Sequence, residues 1–143
     1  MQDFVHLHVH TQYSLLDGQA SVARLVDKAM QNGMKGIAVT DHGNMFGIKE
    51  FTNYVNKKNS GPKGEIKDLK KRLVGIEAGS IECEDKEAEV AACKAKIVEA
   101  ENKLFKPIIG CEMYVARRTM DLKEGKQDQS GYHLMVLAKN ENG

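Results

Sequence analysis

Three histidines at alternate positions near the start of the chain are the residues whose type and spacing first suggest chemistry. They are His6, His8 and His10, and an apolar residue fills each gap between them. Alternation with a period of two is typical of a β-strand, so residues 4–10 are predicted to be a strand with the three imidazoles on one face. Neutral imidazole is a common transition-metal ligand. The pattern favours metal binding, and the alternative is a polar strand face whose histidines are satisfied by hydrogen bonds.

Further metal-capable side chains stand at or near the ends of other predicted strands. They are Asp17 in the loop after the first strand, Asp41 and His42 after the second, Glu112 in the third and His133 at the start of the fourth. In parallel α/β folds the loops of successive units meet at the carboxyl ends of the strands, so these groups are expected to converge. Imidazole and carboxylate ligands suit Zn, Mn or Fe, and the sequence has no thiolate cluster for a structural zinc site.

A cluster of several imidazoles and carboxylates fits the hydrolysis of a phosphate ester at a clustered metal centre. Two ions about 3.5–4 Å apart lower the pKa of a bridging water and stabilise the attacking and leaving oxygens. Glu112 is the natural bridge because a carboxylate offers two oxygens, and Glu112 and His10 are the predicted catalytic residues. His6 is interpreted as a buried core histidine and Cys111 as a packing residue on the opposite strand face. Asp41 is either a ligand or a group that holds an imidazole or a loop amide in place.

The composition is that of an ordinary globular domain with one core. Of 143 residues, 41% are hydrophobic and 29% charged, and the formal net charge of +1 provides no general field for binding polyanions. No apolar run approaches the roughly 18 residues of a membrane span, and no signal-peptide pattern is present. The three cysteines are odd in number and lack CxxC spacing, which is typical of reduced thiols in a cytosolic protein.

Strands and helices alternate along most of the chain, which predicts a parallel α/β fold. Strands are predicted from the period-two or fully apolar segments, and helices from apolar residues at three- and four-residue spacing. In order, the predicted elements are a strand over 4–10, a helix capped by Ser21 that ends at Asn32, a strand over 36–40, a helix over 46–56, and strands over 107–116 and 133–138.

Residues 57–105 replace a connection that is expected to take only a few residues. Their first part, 57–72, holds seven Lys or Arg, and their later part, 77–101, holds eight Asp or Glu. Apolar residues keep helical spacing in both parts. Residues 57–105 are therefore predicted to be a solvated helical insertion, two amphipathic helices of opposite charge that pair as an antiparallel hairpin. The alternative is a basic patch that binds nucleic acid.

Five short motifs resemble the PHP (polymerase and histidinol phosphatase) superfamily, and more narrowly the PHP domain at the start of bacterial DNA polymerase III α subunits. The motifs are HVHTQYS at 8–14, YSLLDG at 13–18, TDHGNMFG at 40–47, PIIGCEMY at 107–114 and YHLMVLAKN at 132–140. The resemblance implies a distorted, seven-stranded β/α barrel with up to three metal ions, Zn or Mn, near its mouth. The implied metal ligands are His8, His10, Asp17, His42, Glu112 and His133.

The resemblance also implies a function. The parent protein would be a replicative DNA-directed DNA polymerase, a nucleotidyltransferase of the cytoplasm, with DNA and other replicase subunits as partners. Its polymerase site would use Mg and would lie outside these residues. The PHP site is expected to hydrolyse phosphoesters, for example in 3′→5′ proofreading. Two alternatives stay open, a stand-alone phosphatase of the histidinol-phosphatase type and a non-catalytic scaffold that stabilises the polymerase.

The family pattern is matched up to Gly143, and its remaining ligands, a Cys or His and a final Asp-x-His, are expected in a continuation. Residues 1–143 are therefore expected to be the front half of a PHP domain in a far longer protein. As an isolated fragment they are expected to be weakly active or inactive, because the ligand set is incomplete. An open strand edge is also expected to favour self-association.

Overall fold

The computed structural model describes residues 4–129, 131–140 and 142. Contacts divide the chain into two compact units, one formed by residues 1–55 and 106–143 and the other by residues 56–105. The first is a mixed α/β unit and the second a helical unit. The described residues form four α-helices and one three-stranded sheet. Within these same residues, every helix is too short or too polar to cross a membrane.

The first helix, α1, spans Val22–Gln31 and lies where the sequence predicts it. The Ser21 hydroxyl accepts a hydrogen bond of 3.4 Å from a backbone N–H of the first turn, which caps the helix. Gly33, with φ at 75°, takes the left-handed conformation that commonly ends helices. One face of α1 enters the core, and its buried residues are Val22, Val26 and Ala29.

Two parallel strands form the centre of the α/β unit. Strand β1 is Gly36–Val39, all four residues of which are buried, and strand β2 is Lys106–Val115. They pair in parallel along the whole of β1. Helix α2, Ile48–Lys58, follows β1 and buries Phe51 and Val55. The α/β class is confirmed, and the closed barrel stays a prediction.

The third strand, β3, spans Tyr132–Leu137 and lies antiparallel to β2. The prediction of a wholly parallel sheet is therefore wrong for this strand. A parallel connection usually needs a crossover α-helix, whereas the described part of the link between β2 and β3 contains only a short 3-10 helix, Lys126–Asp128. Because β3 runs backwards, its first residues lie beside the last residues of β2.

Residues 4–10 are not a regular strand, although their alternation predicts one. The N–H of Ala38 donates to the carbonyl of His6 at 2.9 Å. The N–H of Thr40 donates to the carbonyl of Val9, also at 2.9 Å. The two acceptors, His6 and Val9, are three residues apart, whereas the two donors, Ala38 and Thr40, are two residues apart. The segment therefore contains one extra residue, which interrupts the regular hydrogen-bond ladder as in a β-bulge. The N–H of Val9 is satisfied instead by the Thr40 hydroxyl at 2.8 Å.

The interpretation of His6 as a buried core histidine is also wrong. The residue is exposed, and its ring meets that of Phe4 edge to face with 4.8 Å between the ring centroids. The broken ladder explains why His6 is exposed. In a regular strand alternate side chains share one face, and an extra residue ends that alternation.

The helical unit contains two helices that pack against each other, α3 over Ser60–Glu77 and α4 over Lys86–Asn102. The side chain of Asp85 caps α4 by accepting from a backbone N–H of its first turn at 3.0 Å. Two ion pairs join α3 to α4: Lys70 with Glu101 at 3.6 Å and Arg72 with Glu89 at 3.2 Å. The apolar side chains buried in these helices are Ile76, Cys93, Ile97 and Ala100.

A buried amide joins the two ends of the helical unit. The Asn59 side chain donates to the carbonyl of Phe105 at 2.8 Å and accepts from its N–H at 3.0 Å. Both residues are buried. Residues 59 and 105 are thereby adjacent, which is the geometry of a hairpin that starts and finishes at one point. That residues 57–105 are an insertion stays a prediction.

Candidate metal centre

Glu112 of β2 is the central residue of the candidate site. The residue is only 7% exposed, and both oxygens of its carboxylate face imidazoles. Oε2 lies 2.5 Å from Nε2 of His10 and 3.2 Å from Nε2 of His8. Oε1 lies 2.6 Å from Nδ1 of His133. The Glu112 carboxylate therefore contacts histidines from two different parts of the chain.

Two groups of potential metal ligands share this carboxylate. In each group the donor atoms all lie within 4.8 Å of one another. The donors are imidazole nitrogens and carboxylate oxygens, which suit Zn, Mn or Fe. A carboxylate common to both groups fits a pair of cations, since each oxygen serves one side. The groups are His8, His10 and Glu112, and His42, Glu112 and His133.

The backbone brings these side chains together at the ends of the strands. His42 follows β1 and forms an isolated parallel bridge with Glu112. The N–H of Glu112 donates to the carbonyl of Asp41 at 3.1 Å, and the N–H of Gly43 donates back to Glu112 at 2.8 Å. His133 is the second residue of β3, and the antiparallel register places it opposite Tyr114. Its side chain therefore reaches the same site.

Both ring nitrogens of His42 have partners. Nδ1 contacts the carboxylate of Asp17, and Nε2 lies 2.5 Å from the hydroxyl of Tyr114. Asp17 thus reaches the cluster through His42, as a carboxylate that fixes the orientation of an imidazole. Tyr114 was not singled out by the sequence analysis. The signal was present, since Tyr114 lies two residues after Glu112 and shares its strand face.

Asp41 is buried and organises the loop that carries the site. Its carboxylate accepts from the N–H of Thr11 at 2.7 Å, from the hydroxyl of Thr11 at 2.8 Å and from the hydroxyl of Ser14 at 2.7 Å. The Ser14 oxygen in turn accepts from the N–H of His42 at 3.0 Å. Of the two roles considered for Asp41, the structure supports the one that holds the loop in place.

The histidines control the charge of the central carboxylate. Burial raises the pKa of Glu112, but hydrogen bonds from His133, His8 and His10 outweigh burial and lower the pKa to about 2. Glu112 is therefore ionised at neutral pH, as a metal ligand has to be.

Cys111, next to Glu112 in β2, takes no part in either ligand group. Its Sγ contacts two backbone carbonyls at 3.5 Å, and burial raises the pKa of the thiol. A protonated, half-buried thiol that faces carbonyls is a packing residue, which agrees with the interpretation from the sequence.

The six predicted ligands thus lie in one region, and Asp17 is the one that belongs to neither ligand group. Five of them form the two groups around Glu112, whereas Asp17 contacts the cluster through His42. Their role as metal ligands, and the catalytic role of Glu112 and His10, stay predictions. The six residues are His8, His10, Asp17, His42, Glu112 and His133.

Comparison with known proteins gives consistent matches. The family model of the PHP domain matches residues 6–143. The chain is 38% identical over 141 residues to DNA polymerase III subunit alpha of Treponema pallidum, and 36% identical over 143 residues to that of Borreliella burgdorferi. Each alignment covers 98% of the chain and 8% of the relative. The same subunit of Saccharopolyspora erythraea is 48% identical over 75 residues, 52% of the chain and 5% of the relative. The chain thus spans about 8% of the length of the relatives that it matches end to end.

Proposed function

This chain belongs to the PHP domain family, and from that premise we propose that it binds divalent metal ions and hydrolyses phosphoesters as part of a replicative DNA polymerase. The family match confirms the resemblance found in the sequence motifs. The observation that carries the proposal is the carboxylate of Glu112, which is buried, ionised and shared between two groups of imidazoles.

The residues present fit divalent cations. Zn or Mn would be held by His8, His10, His42, Glu112 and His133, with up to three ions in a complete barrel. Asp17, the sixth residue that the motifs predict as a ligand, would act on the ions through His42. Bound cations would supply Lewis-acid charge to the phosphoryl oxygens and make water a nucleophile at neutral pH. A thiolate site is disfavoured, because the nearest cysteine, Cys111, has a raised pKa and faces carbonyls.

The chain's own residues prepare the site for this chemistry. Glu112 keeps three imidazoles within 3.2 Å of its oxygens, so one carboxylate orients donors of both groups. Asp17 orients His42 through Nδ1. Asp41 holds the loop through hydrogen bonds from Thr11 and Ser14.

The wider assignment follows from the relatives that the chain resembles. We infer that the parent protein is a DNA polymerase III α-type nucleotidyltransferase of the cytoplasm, with DNA and other replicase subunits as its partners. Hydrolysis at the PHP site would remove 3′-terminal nucleotides in proofreading. The described residues would then be part of a β/α barrel, and residues 57–105 a helical insertion within it.

Metal content tests the proposal most directly. The full-length protein, dialysed against Zn or Mn and then against buffer, is measured by mass spectrometry of its metals beside Glu112→Gln. We expect this variant to retain far less metal than the wild type, since it loses the shared ionised ligand. Glu101→Gln is the matched control. It removes an exposed glutamate of the helical unit that makes one ion pair of 3.6 Å, and its metal content should equal that of the wild type.

Activity is followed with a 3′-labelled single-stranded oligonucleotide and added Mn or Zn. Release of the terminal nucleotide by the wild type and its loss in Glu112→Gln and His10→Ala are the expected results. Metal binding without any release would overturn the hydrolytic function in favour of a scaffold. Equal metal content in the wild type and in Glu112→Gln would overturn the metal centre itself.

A further inference from the structure

A cavity of about 400 Å³ opens beside the candidate metal centre. Asp17 and His42 form its polar side. Its size lies within the usual range of small-ligand sites, about 300–1,000 Å³. The remaining walls are mainly aromatic and aliphatic side chains, and we call this space the Phe46 cavity. These walls are Tyr13, Leu15, Leu16, Phe46 and Tyr114.

The apolar walls of the Phe46 cavity are unusually open to solvent. Leu15 is 89% exposed, Leu16 is 97% exposed and Phe46 is 77% exposed. Single exposed apolar residues are ordinary, but a group of them next to ionisable side chains marks a binding site. These exposed apolar side chains would bind an apolar part of a ligand.

Two glycines make room for the aromatic walls. A Cβ on Gly43, which has φ at +67°, would lie 2.8 Å from Cε2 of Tyr114. A Cβ on Gly47 would lie 2.7 Å from Cδ2 of Tyr13. Each ring is also held at its hydroxyl, since Tyr13 donates to Glu50 at 2.8 Å and Tyr114 contacts His42 at 2.5 Å. The rings of Tyr13 and Tyr114 are therefore held in place before a ligand binds, whereas the ring of Phe46 is left open to a ligand.

The polar groups within the Phe46 cavity are already engaged. The amide of Asn44 donates to the carbonyls of Tyr13 and His42 at 3.1 Å and accepts from the N–H of Phe46 at 3.1 Å. The Ser14 hydroxyl donates to Asp41. A ligand would meet ring faces and aliphatic carbons rather than free hydrogen-bonding groups of these two residues. Recognition of this kind depends on stacking and tolerates different bases.

We propose that the Phe46 cavity binds the base of the nucleotide whose phosphoester lies at the Glu112 cluster, an inference that rests on the function proposed above. A nucleoside phosphoester combines a flat apolar ring with an anionic group. The cavity combines stacking surfaces with the imidazoles of the metal centre. A sugar phosphate without a base would leave the exposed leucines and Phe46 uncovered.

A binding experiment tests the inference without hydrolysis. The full-length protein in EDTA is titrated with a single-stranded oligonucleotide that carries 2-aminopurine at its 3′ end, whose fluorescence changes on stacking. A second arm uses free 2-aminopurine deoxyriboside monophosphate, which distinguishes a strand end from a free nucleotide. We expect Phe46→Ala to weaken binding on the order of tenfold and to remove the fluorescence change. Phe46→Tyr should keep both. Leu16→Ala should weaken binding through lost apolar contact.

Val74→Ala is the matched control, because Val74 is an exposed apolar residue of the helical unit and lies outside the cavity. Far-ultraviolet circular dichroism should be the same for all variants, since the replaced side chains are exposed. Equal binding and fluorescence for the wild type, Phe46→Ala and Leu16→Ala would overturn the inference. A response to the oligonucleotide alone, or to both probes, would support it.

A hydrolysis experiment separates failure of the inference from failure of the proposed function. Oligonucleotides that end in a normal nucleotide or in an abasic sugar are compared with Mn present. The wild type should prefer the normal end by about tenfold, and Phe46→Ala should lose the preference. Hydrolysis with no preference in the wild type would overturn the inference while the function stands. Stacking that depends on Phe46 without any hydrolysis would overturn the function and keep the cavity as a base-binding site.

Discussion

The two units of this chain use buried polar groups in different ways. Among the described residues of the α/β unit, the buried polar side chains lie in or around the candidate site, and they are Thr11, Ser14, Thr40, Asp41 and Glu112. In the described part of the helical unit, Asn59 is the buried polar residue, and its amide joins the backbone at the other end of the hairpin. Buried polarity positions functional groups in one unit and closes a supporting structure in the other.

Charged residues show the same contrast. The helical unit contains most of the sequence's charge runs, but its ion pairs are exposed, as in the pair of Lys70 with Glu101. Exposed pairs contribute roughly 0–1 kcal/mol and are screened by salt. Glu112 is a single carboxylate, yet its burial among imidazoles lowers its pKa to about 2. The number of charges in a segment therefore says less about function than the burial of one of them.

Removal of the Asp41 carboxylate should produce the largest effect. Asp41→Ala leaves the N–H of Thr11 and the hydroxyls of Thr11 and Ser14 without their buried acceptor, and we expect a loss of about 3 kcal/mol in the free energy of unfolding. Urea unfolding measures it. Asp121→Ala, at an exposed position, should change stability by less than about 0.5 kcal/mol. Equal stability of the two variants would show that the loop does not depend on Asp41.

Asn59→Ala should destabilise the helical unit by about 2 kcal/mol, because the buried N–H and carbonyl of Phe105 lose their partner. Hydrogen exchange followed by mass spectrometry should show faster exchange in peptides from residues 56–105 and unchanged exchange around Glu112. Asn53→Ala, at an exposed position of α2, is the control. Faster exchange throughout the α/β unit would contradict a role of Asn59 confined to the helical unit.

Acid should weaken the α/β unit through Glu112. Because the pKa of Glu112 falls from its ordinary value of 4.5 to about 2 in the folded state, its ionised form stabilises the fold above pH 4.5. This contribution is lost as the pH falls from about 4.5 to about 2. Unfolding midpoints measured in EDTA should decline across that interval. They should decline less in Glu112→Gln, and parallel curves for the two proteins would refute the assignment.

Deletion of residues 60–103 should have the smallest effect on the site. The ends to be joined are adjacent, since Asn59 and Phe105 exchange two hydrogen bonds. A short Gly-Ser linker should leave the α/β unit folded and the affinity for Zn or Mn unchanged, as judged by circular dichroism and calorimetry. Collapse of the α/β unit in the deletion variant would show that the helical unit forms part of its core.

Much of the fold could be predicted from local patterns. The cap at Ser21, the helix end at Asn32 and the apolar strands β1 and β2 depend on neighbouring residues, and the structure confirms each of these predictions. The direction of β3 and the irregular course of residues 4–10 depend on partners far along the chain. Alternation of polar and apolar residues indicates which side chains share a face of a strand. It does not indicate which strand pairs with it, or in which direction.

The residue types and the family motifs of the candidate site are evident from the amino-acid sequence alone, because imidazole and carboxylate donors near predicted strand ends can be recognised without a fold. The role of each residue depends on the fold. It exposed His6, assigned Asp41 to the loop of Thr11 and Ser14, and brought the hydroxyl of Tyr114 to His42. Burial and hydrogen bonding of an ionisable group are set by residues distant in sequence, so only the folded chain distinguishes a central carboxylate such as Glu112 from the many carboxylates exposed to water.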